Sequence, residues 1–276
     1  ASRENVGFCV ANNRMVELAR GEHVLLLNND AALFPDALAT LADAAAQQPP
    51  PGILTLPQYD WETGDLVDRG CLLDPFYNPV PSMDPMRSEV AMVIGACFWI
   101  GRETWELLGG FPEWFESIGE DLYLCCATRL VGRKIEVTNV SGYLHRQGHS
   151  FGGNKVDSQN LVSSYRRRRL SERNKTYVLF IMTPPTLTWP ILCTHIILLL
   201  LEGFILSVAE MNFRPMKEIY INALTSLWQN REALREHQRG IRKSASIEWL
   251  EYFSAFKIWP RKLTMLRKYG WPYLRG

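Results

Sequence analysis

The feature that most constrains this chain is a short apolar run, Val24-Leu25-Leu26-Leu27, ending on the polar cluster Asn28-Asn29-Asp30. Four apolar residues without alternation fit a strand buried on both faces. Residues 12–20 ahead of it predict a helix closed at Gly21. Pro35-Asp36 behind it opens a second helix that runs through Ala46. Helix, buried strand, polar tip and helix is the alternation of an α/β domain with a mostly parallel sheet flanked by helices. Ligands of such sheets sit beyond the carboxyl ends of the strands, so Asp30 stands where chemistry is expected.

The rest of the first half is read in the same way. Prolines crowd residues 49–90 around short strands such as residues 53–56. Residues 90–100 form an apolar run broken by Gly95, where a backbone can pass close to a ligand. Residues 104–108 predict a short helix stopped by Gly109-Gly110, and residues 121–131 a longer one stopped by Gly132. Residues 134–137 read as a strand, with Tyr143-Leu144-His145 as its continuation into a polar, glycine-bearing loop over 148–159.

The second half differs in kind. Arg166-Arg167-Arg168-Arg169 precedes an apolar stretch over residues 177–208, interrupted by Pro184, Pro185 and Pro190. Its last part, residues 191–208, is near the lower limit of the roughly 17–25 residues that span a bilayer. Glu202 within it is costly in lipid unless it faces protein or water. Residues 216–243 read as one amphipathic helix rich in Arg and Glu. The expected organisation is a catalytic domain over 1–160 and a helical region over 161–276, membrane-associated through 177–208.

Composition excludes some classes. Thirty basic residues against twenty-nine acidic ones give no bulk charge for nucleic acid. The six cysteines lack paired CxxC spacing, so a zinc site is not indicated and a reducing compartment is the simplest reading.

Three clusters carry candidate chemistry. A carboxylate at a strand end, Asp30, suits a hard divalent ion that also bridges phosphates, although Asn-Asn-Asp is ordinary turn chemistry as well. Glu120-Asp121 opens a helix, where acidic residues serve as caps or, in a cleft, as a general base. His145 at a strand end suits a metal ligand, a phosphate partner or a surface residue.

In combination these clusters are more specific. Asn5-Val6-Gly7-Phe8 with Asn12-Asn13, then Leu27-Asn28-Asn29-Asp30, Gly95-Ala96-Cys97, Gly109-Gly110-Phe111, Glu120-Asp121 and His145 with Ser150 follow one another in order. This order resembles the family-2 glycosyltransferases, most of all a rhamnosyltransferase-like branch, over about residues 5–153. The resemblance implies a glycosyltransferase-A-like fold lacking its first strands. It also implies inverting transfer of a sugar, rhamnose being one option, from a nucleotide-sugar donor to a saccharide or lipid-linked acceptor in polysaccharide synthesis.

By the same resemblance Asp30 and His145 hold a divalent metal (Mg²⁺ or Mn²⁺), and Asp121 is the catalytic base beside Glu120. Asn28, Asn29, Gly95, Ala96 and Trp114 contact substrate, and Trp99 is a second candidate for stacking on a sugar. The expected location is the cytoplasmic face of a bacterial inner membrane, peripheral or single-span. The chain departs from the family's pattern at Pro112-Glu113 after Gly-Gly-Phe and at Leu122 to Cys125, where a second acidic residue is often found. A non-catalytic membrane-associated module, or a degenerate nucleotide-sugar-binding protein, is the competing expectation.

Overall fold

The computed structural model describes residues 4–47, 49–146, 155–157, 160–271 and 273–275. The chain forms two compact units. The first comprises Ala1–Leu73, Pro79–Arg146 and Ser244–Phe256, the second Asp74–Asn78, Gln147–Lys243 and Lys257–Gly276.

The first unit is mixed α/β. Its elements are α1 (Phe8–Leu18), β1 (His23–Leu27), β2 (Ala31–Leu33), α2 (Ala37–Ala45), β3 (Ile53–Thr55), β4 (Gln58–Asp60), β5 (Leu66–Asp68), β6 (Cys71–Leu73) and β7 (Pro79–Pro81). They continue with β8 (Cys97–Gly101), α3 (Arg102–Leu108), a 3-10 turn Glu113–Phe115, α4 (Glu120–Leu130), β9 (Ile135–Val137) and β10 (Tyr143–His145). Helix α1 starts at Phe8, earlier than the composition of residues 12–20 indicated. Gly7, at φ 85°, makes the turn that lets it begin there, and the Asn12 side chain donates back to Phe8 O at 2.8 Å.

One sheet has the order β1-β8-β3-β9. Strand β8 runs antiparallel to both β1 and β3, while β3 and β9 are parallel. It follows that β1, β3 and β9 share one direction and β8 is the reversed strand between them. Against this sheet α2 lays Ala37, Leu41 and Ala45, which pack with Leu54, Leu56, Ala96, Cys97 and Tyr143 in one cluster. Burial of each larger aliphatic side chain there contributes roughly 1.5–3 kcal/mol.

A second sheet has the order β2-β10-β4-β5. Strand β10 is antiparallel to β2 and parallel to β4. Residues 143–145 are therefore not a continuation of β9. They form a strand of another sheet, because β10 finds its partners in β2 and β4, which periodicity along the chain cannot reveal.

Residues 244–256 are tied to the first unit through Arg129, whose side chain is almost wholly buried. Its guanidinium meets Glu89 Oε1 at 3.0 Å and donates to the carbonyls of Glu251 and Tyr252 at 3.1 Å each.

The second unit carries a small sheet of β11 (Lys155–Asp157), β12 (Asn160–Ser164) and β13 (Tyr273–Arg275). Its helices are α5 (Tyr165–Met182), α6 (Pro185–Ala209), a π-helical segment Met216–Ile221, α7 (Asn222–Gln229), α8 (Arg231–Ser244) and a last helix Arg261–Tyr269. Residues 216–243 are thus not one helix. Asn230 interrupts them, its amide donating to Ser226 O at 2.9 Å and Tyr177 Oη at 3.2 Å. The arginine run is not one solvated patch either. Arg166 is exposed, whereas Arg168 is nearly covered and pairs with Glu172 at 3.3 Å and with Glu202.

Helix α6 is long and apolar enough to cross a membrane by length and composition. One face carries Leu192, Leu199 and Leu206 inward, the last two with Ile219 and Tyr220 in a single cluster. The same face carries the polar residues flagged in the sequence. His195 Nε2 lies 2.9 Å from Thr176 Oγ1, and Glu202 Oε2 lies 2.6 Å from Lys262 Nζ. The opposite face exposes Trp189, Ile197, Leu201, Phe204 and Val208.

Candidate active site

Asp30 ends the turn that leaves β1, and β2 starts at the next residue. The turn is closed by Ala31 N–H donating to Asn28 O at 3.1 Å. On the other side of β2 lies β10, in a register that puts His145 opposite Ala31. Two side chains distant in sequence are thereby brought together. His145 Nε2 is 3.3 Å from Asp30 Oδ1, both groups being largely withdrawn from solvent. Burial pushes the imidazole below its ordinary value, against the opposing pull of the Asp30 charge, so the ring is neutral near pH 7.

Parallel strand β4 supplies the other neighbour of the imidazole. Gln58, wholly buried, places Oε1 3.3 Å from His145 Nδ1, and the same oxygen accepts from the Tyr143 hydroxyl at 2.7 Å. Nothing in the sequence around Pro57-Gln58-Tyr59 singled this residue out, because its significance comes from the pairing of β4 with β10.

Asp121 lies in the first turn of α4. Its Oδ2 accepts from Gly95 N–H at 3.1 Å and its Oδ1 from Leu122 N–H at 2.7 Å. Ala96, the next residue after Gly95, accepts at its carbonyl from Asn28 N–H at 3.0 Å. The Asp30–His145 pair and Asp121 therefore both adjoin the carboxyl end of β1, linked through Asn28, Ala96 and Gly95. Asn29 is exposed beside them and Gly95 is buried.

The approach to α4 is strained. Glu116 has φ 65° and ψ −67°, and Ser117 N–H donates to Phe115 O at 2.8 Å, which is a γ-turn of the uncommon hand. Ile118 at φ 71° and Gly119 at φ 91° follow directly. Conformations of this kind cost about 1–3 kcal/mol each at a non-glycine residue and cluster at functional positions. Glu120, immediately after them, is buried, and its charge with that of Asp121 faces Cys9. Burial first, and then those two carboxylates with Glu113, push the Cys9 thiol far above its ordinary range.

The remaining candidates divide. Trp114 is half-buried, its ring meeting those of Phe115 and Tyr123 edge-on with centroids 4.7 and 6.5 Å away. Trp99, half-buried, packs against the hydrophobic cluster under α2 and stacks on His23 at 5.3 Å. Asn13, from the N-terminal asparagine pair, pins the glycine turn. It accepts from Phe111 N–H at 3.0 Å and donates to Phe111 O at 2.9 Å. Ser150, and the loop 148–154 with 158–159, lie outside the described residues.

Asp30 and His145 supply one carboxylate oxygen and one imidazole nitrogen. Among the described residues no group of three His, Cys, Asp or Glu side chains is placed to hold a metal. Two protein donors fit a hard divalent ion that keeps waters and takes further oxygens from a diphosphate.

No family model matches the sequence, and no curated protein matches it. Several solved structures are similar in shape. GalNAc-T7 with UDP, GalNAc and Mn²⁺ is 14% identical with a TM-score of 0.49, over 65% of this chain and 35% of that one. The mannosyltransferase PcManGT from Pyrobaculum calidifontis, in complex with GDP-Man and Mn²⁺, is 16% identical with a TM-score of 0.44, over 88% and 66%. TarS of S. aureus, residues 1–349, is 14% identical with a TM-score of 0.43, over 88% and 70%. The chain spans about a third of the first of these and about two-thirds of the second. A likeness at this level assigns neither substrate nor chemistry.

Proposed function

We propose that this chain is the catalytic portion of a metal-dependent, inverting glycosyltransferase that moves a sugar from a nucleotide-sugar donor to a saccharide or lipid-linked acceptor at a membrane surface. The observation that carries the reading is the meeting of Asp30 and His145 at 3.3 Å, at the strand end where the sequence order of the family-2 glycosyltransferases requires a metal site.

In this reading Asp30 and His145 hold a divalent cation, Mg²⁺ or Mn²⁺. When bound, the ion supplies the positive charge that stabilises a departing diphosphate. Asn28 and Asn29 flank the donor sugar, and Gly95-Ala96 form the floor on which it rests. Asp121 takes the proton of an acceptor hydroxyl as that oxygen bonds to the anomeric carbon. Attack comes from the face opposite the diphosphate, the carbon–oxygen bond to the diphosphate breaks, and the configuration inverts. The Gly95 N–H bond to Oδ2 and the Leu122 N–H bond to Oδ1 orient the carboxylate. Buried Glu120 shapes the acceptor side, and half-exposed Trp114 offers a ring for stacking on a sugar. Rhamnose from a dTDP donor and a role in polysaccharide synthesis follow the sequence resemblance.

A donor screen with Mg²⁺ or Mn²⁺ tests the reading directly. One nucleotide-sugar is expected to bind in a metal-dependent manner, and Asp30→Ala to weaken that binding by at least about tenfold, since even outer-shell changes at metal sites cost that much. Metal titrations that superimpose for wild type and variant would remove the metal site and leave a non-catalytic module.

The outer face of α6 supports the membrane part of the proposal, with the cytoplasmic face of a bacterial inner membrane as the location. Its polar residues Glu202 and His195 are engaged on the inner face, so a helix lying along the surface suits it better than one crossing alone. Replacing Ile197 and Leu201 by Glu is expected to cut binding to anionic vesicles by tenfold or more, from about 1.5–3 kcal/mol per apolar side chain lost. Co-sedimentation measures this, and unchanged partitioning would detach the tail from any membrane role.

A further inference from the structure

The sequence marked Asp30 and His145 but left Gln58 unnoticed, and the structure surrounds this residue with an unusual set of partners. It is wholly buried, its Oε1 faces both Tyr143 Oη and His145 Nδ1, and its Nε2 has no hydrogen-bond partner among the described residues. With its oxygen shared between a buried phenol and a buried imidazole, the amide has a positioning task.

The task follows from proton positions. The buried Tyr143 hydroxyl donates to Gln58 Oε1, and that same oxygen faces the imidazole. An oxygen facing Nδ1 calls for a hydrogen on Nδ1. In a neutral ring the other nitrogen, Nε2, then carries a lone pair and no hydrogen. That lone pair faces a carboxylate oxygen of Asp30 at 3.3 Å. Lone pair against carboxylate is repulsive by itself and becomes favourable when a cation is shared between the two. The opposite amide orientation would give the opposite tautomer, with Nε2–H donating to Asp30 and no lone pair for a metal.

We propose that Gln58 is a positioning residue that, with Tyr143 behind it, holds His145 in the Nδ1–H tautomer and so presents Nε2 to a divalent cation shared with Asp30. The inference rests on the metal-site reading above and adds a residue outside the ligand set. It matches the general behaviour of metal-bound imidazoles, whose second nitrogen is fixed by a neighbouring acceptor.

The test uses the full chain and Mn²⁺ alone, with free Mn²⁺ followed by electron paramagnetic resonance and folding checked by circular dichroism. Gln58→Leu is expected to weaken Mn²⁺ binding roughly 10–100-fold. Gln58→Glu, which keeps an acceptor facing Nδ1, is expected to bind within about threefold of wild type. Tyr143→Phe, which keeps the ring and removes the hydroxyl, is expected to fall between them. The ¹⁵N shifts of His145 in the metal-free protein report the tautomer directly, and Gln58→Leu is expected to shift the population away from Nδ1–H.

A residue that merely fills space would alter thermal stability but leave Mn²⁺ affinity and tautomer alone, and Gln58→Glu would not rescue it. His145→Ala separates the two levels. If His145→Ala binds Mn²⁺ like wild type, the metal site itself is refuted. If His145→Ala loses Mn²⁺ while Gln58→Leu and Tyr143→Phe keep it, the metal site stands and the role of Gln58 is overturned. Should Gln58→Leu fail to fold, Tyr143→Phe and the wild-type tautomer decide.

Discussion

Asp121→Asn is expected to leave a folded protein that binds nucleotide-sugar with near-normal affinity and transfers sugar at a rate reduced by roughly 10²–10⁴, the usual worth of a general base. The substitution is nearly isosteric. The amide oxygen can still accept from Gly95 N–H at 3.1 Å, and only the bond that Oδ1 takes from Leu122 N–H is given up. What is lost is the capacity to take a proton. In kinetic terms kcat and kcat/KM fall together while donor Kd stays, the signature of a group that acts only in the transition state. Donor binding by calorimetry and transfer by product analysis decide the matter. Near-normal turnover would show that the acceptor is deprotonated elsewhere, and Glu120 would be the next group to substitute.

Glu172→Ala is expected to have the largest effect on stability, about 3–5 kcal/mol, the cost of removing one member of a buried ion network and leaving the others uncompensated. Glu172 is almost fully covered and lies 2.7 Å from Lys175, 2.7 Å from Lys262 and 3.3 Å from Arg168. For a chain of this size the loss corresponds to a drop in unfolding midpoint of roughly 6–20 °C. A shift equivalent to less than 1 kcal/mol would mean that the cations find other partners, Glu202 foremost.

The same group sets an acid limit. Burial pushes the Glu172 carboxyl up, but the charges of Lys175, Lys262 and Arg168 outweigh it and hold the group well below its ordinary 4.5. A depressed carboxylate contributes stability that is fully present above the unfolded value and is lost as pH falls through the folded one. Stability of the wild type should therefore decline below about pH 4.5, and that decline should be shallower in Glu172→Ala. Urea unfolding at several pH values measures both slopes.

What could be read from the chain was local. The strand ending on Asn28-Asn29-Asp30 (covered at Val24 and Leu26 but open at His23 and Leu27, so not buried on both faces), the glycine stops after α3 and α4, and the placement of Glu120-Asp121 at a helix start are short-range consequences of burial, φ preference and capping. They are written within a few residues of where they act, and the structure has each of them. The aromatic candidates were less legible. Trp99 and Trp114 are chemically equivalent as letters, both are half-buried, and only tertiary packing sets the first against the cluster under α2 and the second against Phe115 and Tyr123.

Everything that makes Asp30 and His145 one site is long-range. Residues 143–145 read naturally as an extension of β9, yet they pair with β2 and β4, and that exchange brings both His145 to Asp30 and Gln58 to His145. The tail follows the same rule. Composition announced an apolar helix with an awkward Glu202, but the partners that accommodate it, Arg168 and Lys262, come from separate helices. By itself the sequence determined the alternation of helix and strand, because propensity and hydrophobic period act between near neighbours. Which strands pair, and hence which polar groups share a buried space, was decided by tertiary structure alone, since pairing is chosen by the burial of whole faces rather than by any local signal.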